Sequence, residues 1–322
     1  MRNLERQPLM VSACAVAAIA ASVLYVLATS DAAGAKGGMA TDPVIAAAGD
    51  IACDRRPNAP PPDPDERGSA GCLERSTAAL LASHKFVAVL ALGDEQYDSG
   101  SLAQFMSSYD KTWGRFKAIT YPAPGNHEYD TPKGAGYFAY FGSRAGDRSR
   151  GYYSFDLGSW HLISINANCA DIGGCGRGSA EERWLKKDLG SHHASCTLAY
   201  WHQPRFSSGT HHSDPTYTAF WQDLYDAHAD LVLNGHDHLY ERFAPQTPTG
   251  GADAKNGIRE IIAGTGGRSH YKFTKIEPNS EVRNNTTFGI LELTLHPRAY
   301  DWKFLPVAGS TFTDAGHQPC HA

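Results

Sequence analysis

Five short polar clusters follow one another along the chain: Gly49-Asp50, Gly93-Asp94-Glu95-Gln96-Tyr97, Gly125-Asn126-His127-Glu128, His202, and Gly235-His236-Asp237-His238. Singly each is weak, because a Gly-Asp pair is more often a turn than a ligand and 15 histidines make near-coincidences ordinary. Taken together, Asp50, Asp94, Tyr97, Asn126, His202, His236 and His238 offer carboxylate, phenol, amide and imidazole donors. That mixed oxygen and nitrogen set suits Fe, Zn or Mn and needs no thiolate. Seven donors exceed the needs of one ion, and two ions sharing a bridging carboxylate account for the surplus. Two-metal sites of this kind serve in-line displacement at phosphorus.

The clusters need elements to bring them together. Val44–Ala48, Phe86–Leu92, Ala118–Tyr121, Thr197–Trp201 and Asp230–Leu233 are short apolar runs with little alternation, as expected of strands buried on both faces. Each ends within a few residues of a cluster. Helix-like stretches lie between them at Leu73–Ser83, Leu102–Trp113, Ala180–Leu189 and Thr218–Ala227. In open α/β sheets ligands gather beyond the carboxyl ends of the strands, so five strand tips are expected to meet in one place. Ile258–Ala263, Phe288–Leu295 and Tyr300–Phe304 have hairpin-like spacing and read as antiparallel. The expectation is a sheet-rich α/β layer fold. Gly264-Thr265-Gly266-Gly267 lacks the third glycine and the following helix of a dinucleotide fingerprint, and reads as a tight loop near the site mouth. The aromatic stretch holding Tyr137, Phe138, Tyr140, Phe141, Tyr152, Tyr153 and Phe155 reads as core packing.

In order and content the clusters resemble the calcineurin-like metallophosphoesterases, and most closely their purple acid phosphatase branch. That pattern runs GDxG, GDxxY, GNH(D/E), VxxH, GHxH; this chain has GDIA, GDEQY, GNHE, AYWH and GHDH between residues 49 and 238. The departures, Ala52 for Gly and Ala199 for Val, remove no donor. Many relatives carry a histidine in the first block where this chain has Ala52; its absence alongside Tyr97 points to the purple acid phosphatase branch. The resemblance implies a four-layer α-β-β-α sandwich of two mixed sheets. It places Fe(III) on Asp50, Asp94, Tyr97 and His238, and Fe(II), Zn or Mn on Asp94, Asn126, His202 and His236, with Asp94 bridging. It implies hydrolysis of a small phosphate monoester by a metal-activated hydroxide. His127 would stabilise phosphate or protonate the leaving group, and one of His211 and His212 would face the substrate. Glu128 and Asp237 are expected to accept hydrogen bonds from ligand histidines. A phosphodiesterase or nucleotidase on the same ions, or a catalytically silent phosphate- or metal-binding surface protein, are the alternatives, since fold does not fix function.

Composition bounds the setting. With 29 basic and 34 acidic side chains the net charge is −5, which leaves no basic footprint for nucleic acid. Arg2 and Arg6, the apolar run from Leu9 to Ala28 and small residues to Ala35 make residues 1–35 a signal peptide or an N-terminal membrane anchor, so the body is expected outside the cytoplasm. Membrane contact is expected only through that segment, if it is retained. Residues 36–43 read as a linker and 44–322 as one metallophosphoesterase domain, in the small form without the N-terminal β-sandwich of larger plant-type relatives. No helix-face stripe or heptad argues for assembly, so a monomer is expected. Beyond Cys14, six cysteines remain, which suits an oxidising compartment and allows 15 pairings. The expected set is Cys53–Cys72, Cys169–Cys175 and Cys196–Cys320, with Cys53 as a metal ligand the competing reading.

Overall fold

Strands and helices of the computed structural model, which describes residues 42–54 and 72–321, alternate through the first two-thirds of the chain. The leader, most of the linker and the loop following Asp54 lie outside the described residues. The strands are β1 (Val44–Ala48), β2 (Ala88–Leu92), β3 (Thr120–Ala123), β4 (Tyr153–Leu157), β5 (Trp160–Ser164), β6 (Cys196–Tyr200) and β7 (Leu231–Asn234). They continue with β8 (Tyr240–Phe243), β9 (Arg259–Ala263), β10 (Ser280–Asn284), β11 (Gly289–His296), β12 (Ala299–Pro306) and β13 (Ala315–Pro319). The helices are α1 (Glu74–Ser83), α2 (Leu102–Ser107), α3 (Asn126–Tyr129), α4 (Ala135–Phe141), α5 (Cys169–Ile172), α6 (Ala180–Ser191) and α7 (Thr218–Asp226).

Two mixed sheets result. One runs β13-β12-β11-β1-β2-β3 and the other β10-β8-β9-β7-β6-β5-β4. β1, β2 and β3 are parallel, as are β5, β6, β7 and β9, with antiparallel strands at the margins. Strand alternation sorts the side chains into layers. Ile45, Ala47, Leu90 and Leu92 meet Leu162, Leu198, Leu231 and Leu233 between the sheets. Ala46, Ala48, Val89 and Ala91 face outward against Phe105 of α2 and Tyr137 and Phe141 of α4. Ile163, Ala199 and Val232 face the other way, against Leu185 of α6 and Phe220 and Trp221 of α7. Burial of both faces explains why the central strands read as unbroken apolar runs. The architecture is the four-layer α-β-β-α sandwich expected.

The structure departs from the expected elements in specific places. The helix expected over Leu102–Trp113 stops at Ser107 and gives way to 3-10 turns reaching Ile119. The Ser108 hydroxyl is drawn instead to the Cys53 carbonyl and the Gln96 side chain. β9, expected in an antiparallel run, lies parallel to β7 and inserts between β7 and β8; only its β8 side is antiparallel. β4, β5, β8, β10 and β13 were not anticipated: β8, β10 and β13 are mixed polar runs, and the alternating residues of β4 were read only as part of an aromatic packing stretch. The three expected disulfides form, so Cys53 is half of a cystine and not a ligand. Among the described residues no helix is long and apolar enough to cross a membrane.

Candidate metal centre

Each cluster follows a parallel strand: Asp50 follows β1, Asp94 and Tyr97 follow β2, Asn126 opens α3 after β3, His202 follows β6, and His236 and His238 follow β7. Asp50, Asp94 and His236 have φ values of 60°, 48° and 69°, a left-handed backbone that costs non-glycine residues about 1–3 kcal/mol each. Packing of the two sheets holds these turns and aims the side chains at one point. Two glycines make the approach possible. A Cβ on Gly93, itself at φ 84°, would lie 2.5 Å from His202 Nδ1, and one on Gly125 would run into the Asp94 carboxylate.

The donors converge in two groups around Asp94. Tyr97 Oη lies 2.8 Å from Asp50 Oδ1, 3.0 Å from Asp94 Oδ2 and 3.0 Å from His238 Nε2. His238 Nε2 is 3.3 Å from Asp50 Oδ1. On the other side His202 Nε2 is 3.1 Å from Asp94 Oδ2 and 3.3 Å from His236 Nδ1. Among the described residues Asn126 Oδ1 is buried with no hydrogen-bond partner, an acceptor for which a folded interior normally supplies a donor or a cation. Six of the donors proposed from the sequence lie within contact of one another, and the seventh, Asn126, follows Gly125, which abuts the Asp94 carboxylate. Two buried carboxylates, an unsatisfied amide oxygen and converging imidazole nitrogens are a donor set that fits two cations.

The surrounding contacts set the ring orientations. His202 Nδ1 donates to the Leu92 carbonyl at 2.8 Å and His238 Nδ1 to the Ser269 carbonyl at 2.6 Å, which leaves both Nε2 lone pairs for the centre. The expectation that Glu128 and Asp237 accept from these histidines is corrected. Glu128 takes the backbone N–H groups of Asp94, Gln96 and Gly125 at 2.9, 3.2 and 2.8 Å, and Asp237 takes the Ser207 hydroxyl and the His211 N–H. They hold the ligand loops, and backbone carbonyls orient the rings.

Without cations the centre is electrostatically polarised. Burial raises the Asp94 carboxyl, yet His202 and His127 overcome it and hold Asp94 well below the usual carboxylate range. Burial opposes the charge on His202, but Asp94 pushes its pKa up to about 9. Burial, with Asp50 and Asp94 adding to it, drives the Tyr97 phenol well above its ordinary value. Burial and the His202 charge push His236 well below the ordinary imidazole value. Glu128 is lifted to about 7, first by burial and then by Asp94.

His127 and His211 flank the donors. The His127 ring packs on Tyr97 with centroids 4.4 Å apart, and its Nε2 is 3.8 Å from Asp94 Oδ2. Its Nδ1 donates to the Asp98 carbonyl. His211 lies on His236 with centroids 4.1 Å apart. His212 is not brought to the centre: its Nδ1 contacts Thr274 Oγ1 at 3.2 Å. Two neighbours escaped the sequence reading. Tyr271 stacks on His238 at 3.9 Å and 17°, and the Arg268 guanidinium sits 4.7 Å from the Tyr97 ring centroid. No local pattern marks either one. Both leave the glycine loop Gly264–Gly267, which packs on Asp50 through Gly266 N–H to Gly49 and Arg268 N–H to the Asp50 carbonyl.

A sandwich of two sheets with a paired donor set at its strand ends defines the class of protein. The family model for calcineurin-like phosphoesterases matches residues 43–240, more than half of the chain, and the chain belongs to that family. Within it the similarity is to purple acid phosphatases. The chain is 34% identical to purple acid phosphatase 15 of Arabidopsis thaliana over 149 residues, 40% of this chain and 27% of that protein. It is 26% identical to purple acid phosphatase 18 of the same plant over 246 residues, 69% of this chain and 53% of that protein. The structure of the purple acid phosphatase PPD1 from yellow lupin (Lupinus luteus) seeds matches with a TM-score of 0.71 at 18% identity, over 88% of this chain and 55% of that one. GAP50, the anchor in the inner membrane complex of Plasmodium, matches with a TM-score of 0.59 at 13% identity, over 88% and 90%. At these identities the two structures speak to the fold. The chain spans about a quarter to a half of the length of these curated relatives.

Proposed function

We propose that the protein is an exported phosphatase that hydrolyses small phosphate monoesters at a centre of two metal ions. The observation that carries this reading is the convergence of Asp50, Tyr97, His202, His236 and His238 around Asp94, with Asn126 Oδ1 next to Gly125 buried and, among the described residues, unsatisfied. A fold shared with an anchor protein does not imply catalysis; a complete donor set flanked by His127 and His211 supports it. Asp50, Asp94, Tyr97 and His238 would hold Fe(III), favoured by an anionic phenolate, and Asp94, Asn126, His202 and His236 would hold Fe(II), Zn or Mn. When bound, such ions neutralise phosphate charge and acidify water.

The chain's own residues do the rest. Tyr97, whose Oη meets both Asp50 and Asp94, would donate as a phenolate to a bound ion, losing its proton on binding. His127, half-buried beside Asp94, is placed to steady a phosphate oxygen or protonate the leaving alkoxide. His211, seated on His236, is the substrate-facing member of its pair. Three disulfides support an oxidising, exported setting, and the chain is expected to be a monomer. The test compares kcat/KM for p-nitrophenyl phosphate and bis(p-nitrophenyl) phosphate on metal-analysed protein. A clear preference for the monoester is expected; preference for the diester would transfer the reading to a phosphodiesterase.

A further inference from the structure

The outer face of the first sheet carries a second group of metal-type donors that the phosphatase reading does not use. Asp301 on β12 stands directly opposite His317 on β13 and opposite Thr294 on β11. His296 is two residues beyond Thr294, so strand alternation places it on the same face, diagonal to Asp301. The opposite faces of these strands, with Leu293, Leu295, Tyr300 and Trp302, fill the core between the sheets. Asp301 Oδ2 lies 3.0 Å from His296 Nε2, and Asp301 Oδ1 lies 2.6 Å from His317 Nδ1. One donor atom from each of the three residues falls within 4.8 Å of the others.

Asp42 completes the arrangement. Its Oδ2 lies 2.5 Å from His296 Nδ1, so the ring is bracketed by two carboxylates, and with a cation at Nε2 in place of a proton the remaining proton would stay on Nδ1, donated to Asp42. A carboxylate holding the far nitrogen of an imidazole is the usual support for a metal-bound histidine. We infer that His296, Asp301 and His317, with Asp42 behind His296, form a further site for one divalent transition-metal ion of the zinc type. Two imidazole nitrogens and a carboxylate match three of the four tetrahedral positions, and water supplies the fourth. Asp42 and Asp301 together balance the charge of a divalent ion. Occupation exchanges the two hydrogen bonds to Asp301 for coordination and ties the margin strand β13 and Asp42, two residues before β1, to the β11–β12 hairpin.

The site is independent of the phosphatase centre. Asp42 and Asp50 sit at opposite ends of β1, and an extended run of that length spans about 25 Å. The test titrates Zn²⁺ into the full-length protein with its catalytic metals in place, following bound equivalents and the melting temperature. Wild type should bind one more equivalent than His317→Gln, and saturation should raise its melting temperature while leaving that of His317→Gln unchanged. His317 is 61% exposed on its side chain, so the variant keeps the fold, and its hydrolysis of p-nitrophenyl phosphate should equal wild type. Asp301→Asn is the second variant and should lose the same equivalent. Equal stoichiometry and equal Zn²⁺-dependent melting in all three proteins would overturn the inference and leave a metal-free pair of histidines bridged by Asp301.

Discussion

The imidazole of His211 lies over that of His236, with centroids 4.1 Å apart and planes 30° apart, while the adjacent His212 turns to Thr274 Oγ1. Two consecutive histidines on one loop thus have different surroundings. His211→Ala is expected to lower kcat by on the order of 10²-fold or more with metal content intact, as for loss of an acid–base or phosphate contact. His212→Ala should stay close to wild type. Steady-state kinetics with elemental analysis on both variants decides; equal effects would remove the distinction.

Tyr97 lies within 3.0 Å of Asp50, Asp94 and His238, and belongs to the proposed Fe(III) group. The iron-loaded protein should therefore show a broad visible charge-transfer band. Tyr97→Phe should abolish the band, and a band that survives would exclude the phenolate as a ligand. A colourless protein holding Zn or Mn would keep the phosphoesterase reading and remove the iron.

Gly93 and Gly125 leave room that only hydrogen can occupy, against His202 and the Asp94 carboxylate respectively. Gly125→Ala should cost about 1–3 kcal/mol from overpacking and displace the Asp94 carboxylate. Chemical denaturation and metal analysis should show a less stable protein with reduced metal uptake. Full metal content in that variant would contradict the contact.

His161, 1% exposed, is held between Asp156 Oδ1 at 2.7 Å and Asp188 Oδ2 at 2.8 Å, with His192 stacked on it at 3.9 Å and Ser154 donating to Asp188. Burial alone would lower its pKa, but the hydrogen bonds it donates to Asp188 and Asp156 raise it, so folding favours the protonated ring. Burial raises Asp188, yet His161 and Ser154 hold it below its usual value. The His161 contribution is complete below its unfolded pKa of about 6.5 and fades as pH rises through the raised folded value; the Asp188 contribution is present above its unfolded pKa of about 4 and fades on acidification. Relative to His161→Gln, wild type should gain most between about pH 4.5 and 6 and progressively less above pH 7. Urea denaturation of both proteins across that range checks it, and comparison of the two cancels titration at the metal centre.

Cys196–Cys320 joins the start of β6 to the residue after β13 across a separation of 124 residues. Replacing both cysteines with serine should destabilise the fold by about 2–5 kcal/mol. Denaturation at constant metal loading measures the loss. An unchanged midpoint would show that the sheet alone holds the C-terminal strand.

The sequence by itself determined the parallel strands β1, β2, β3, β6 and β7 and the donors at their tips. β2 is buried at every position, so its apolar run is unbroken, and each Gly–donor turn follows such a run at short range. Cysteine parity and spacing sufficed for the disulfides because two of the three separations are only 19 and 6 residues. Tertiary structure decided what local pattern could not carry. β13 is accessible along its length and is a strand only because β12 pairs with it, and β9 takes its direction from β7 across an intervening strand in sequence. Tyr271 and Arg268 reach the centre because the loop before them packs on Asp50, a contact spanning more than 200 residues of chain. His211 parts from His212, and His296 meets Asp301, His317 and Asp42, for the same reason: long-range packing chooses which neighbours in space a side chain of given chemistry has.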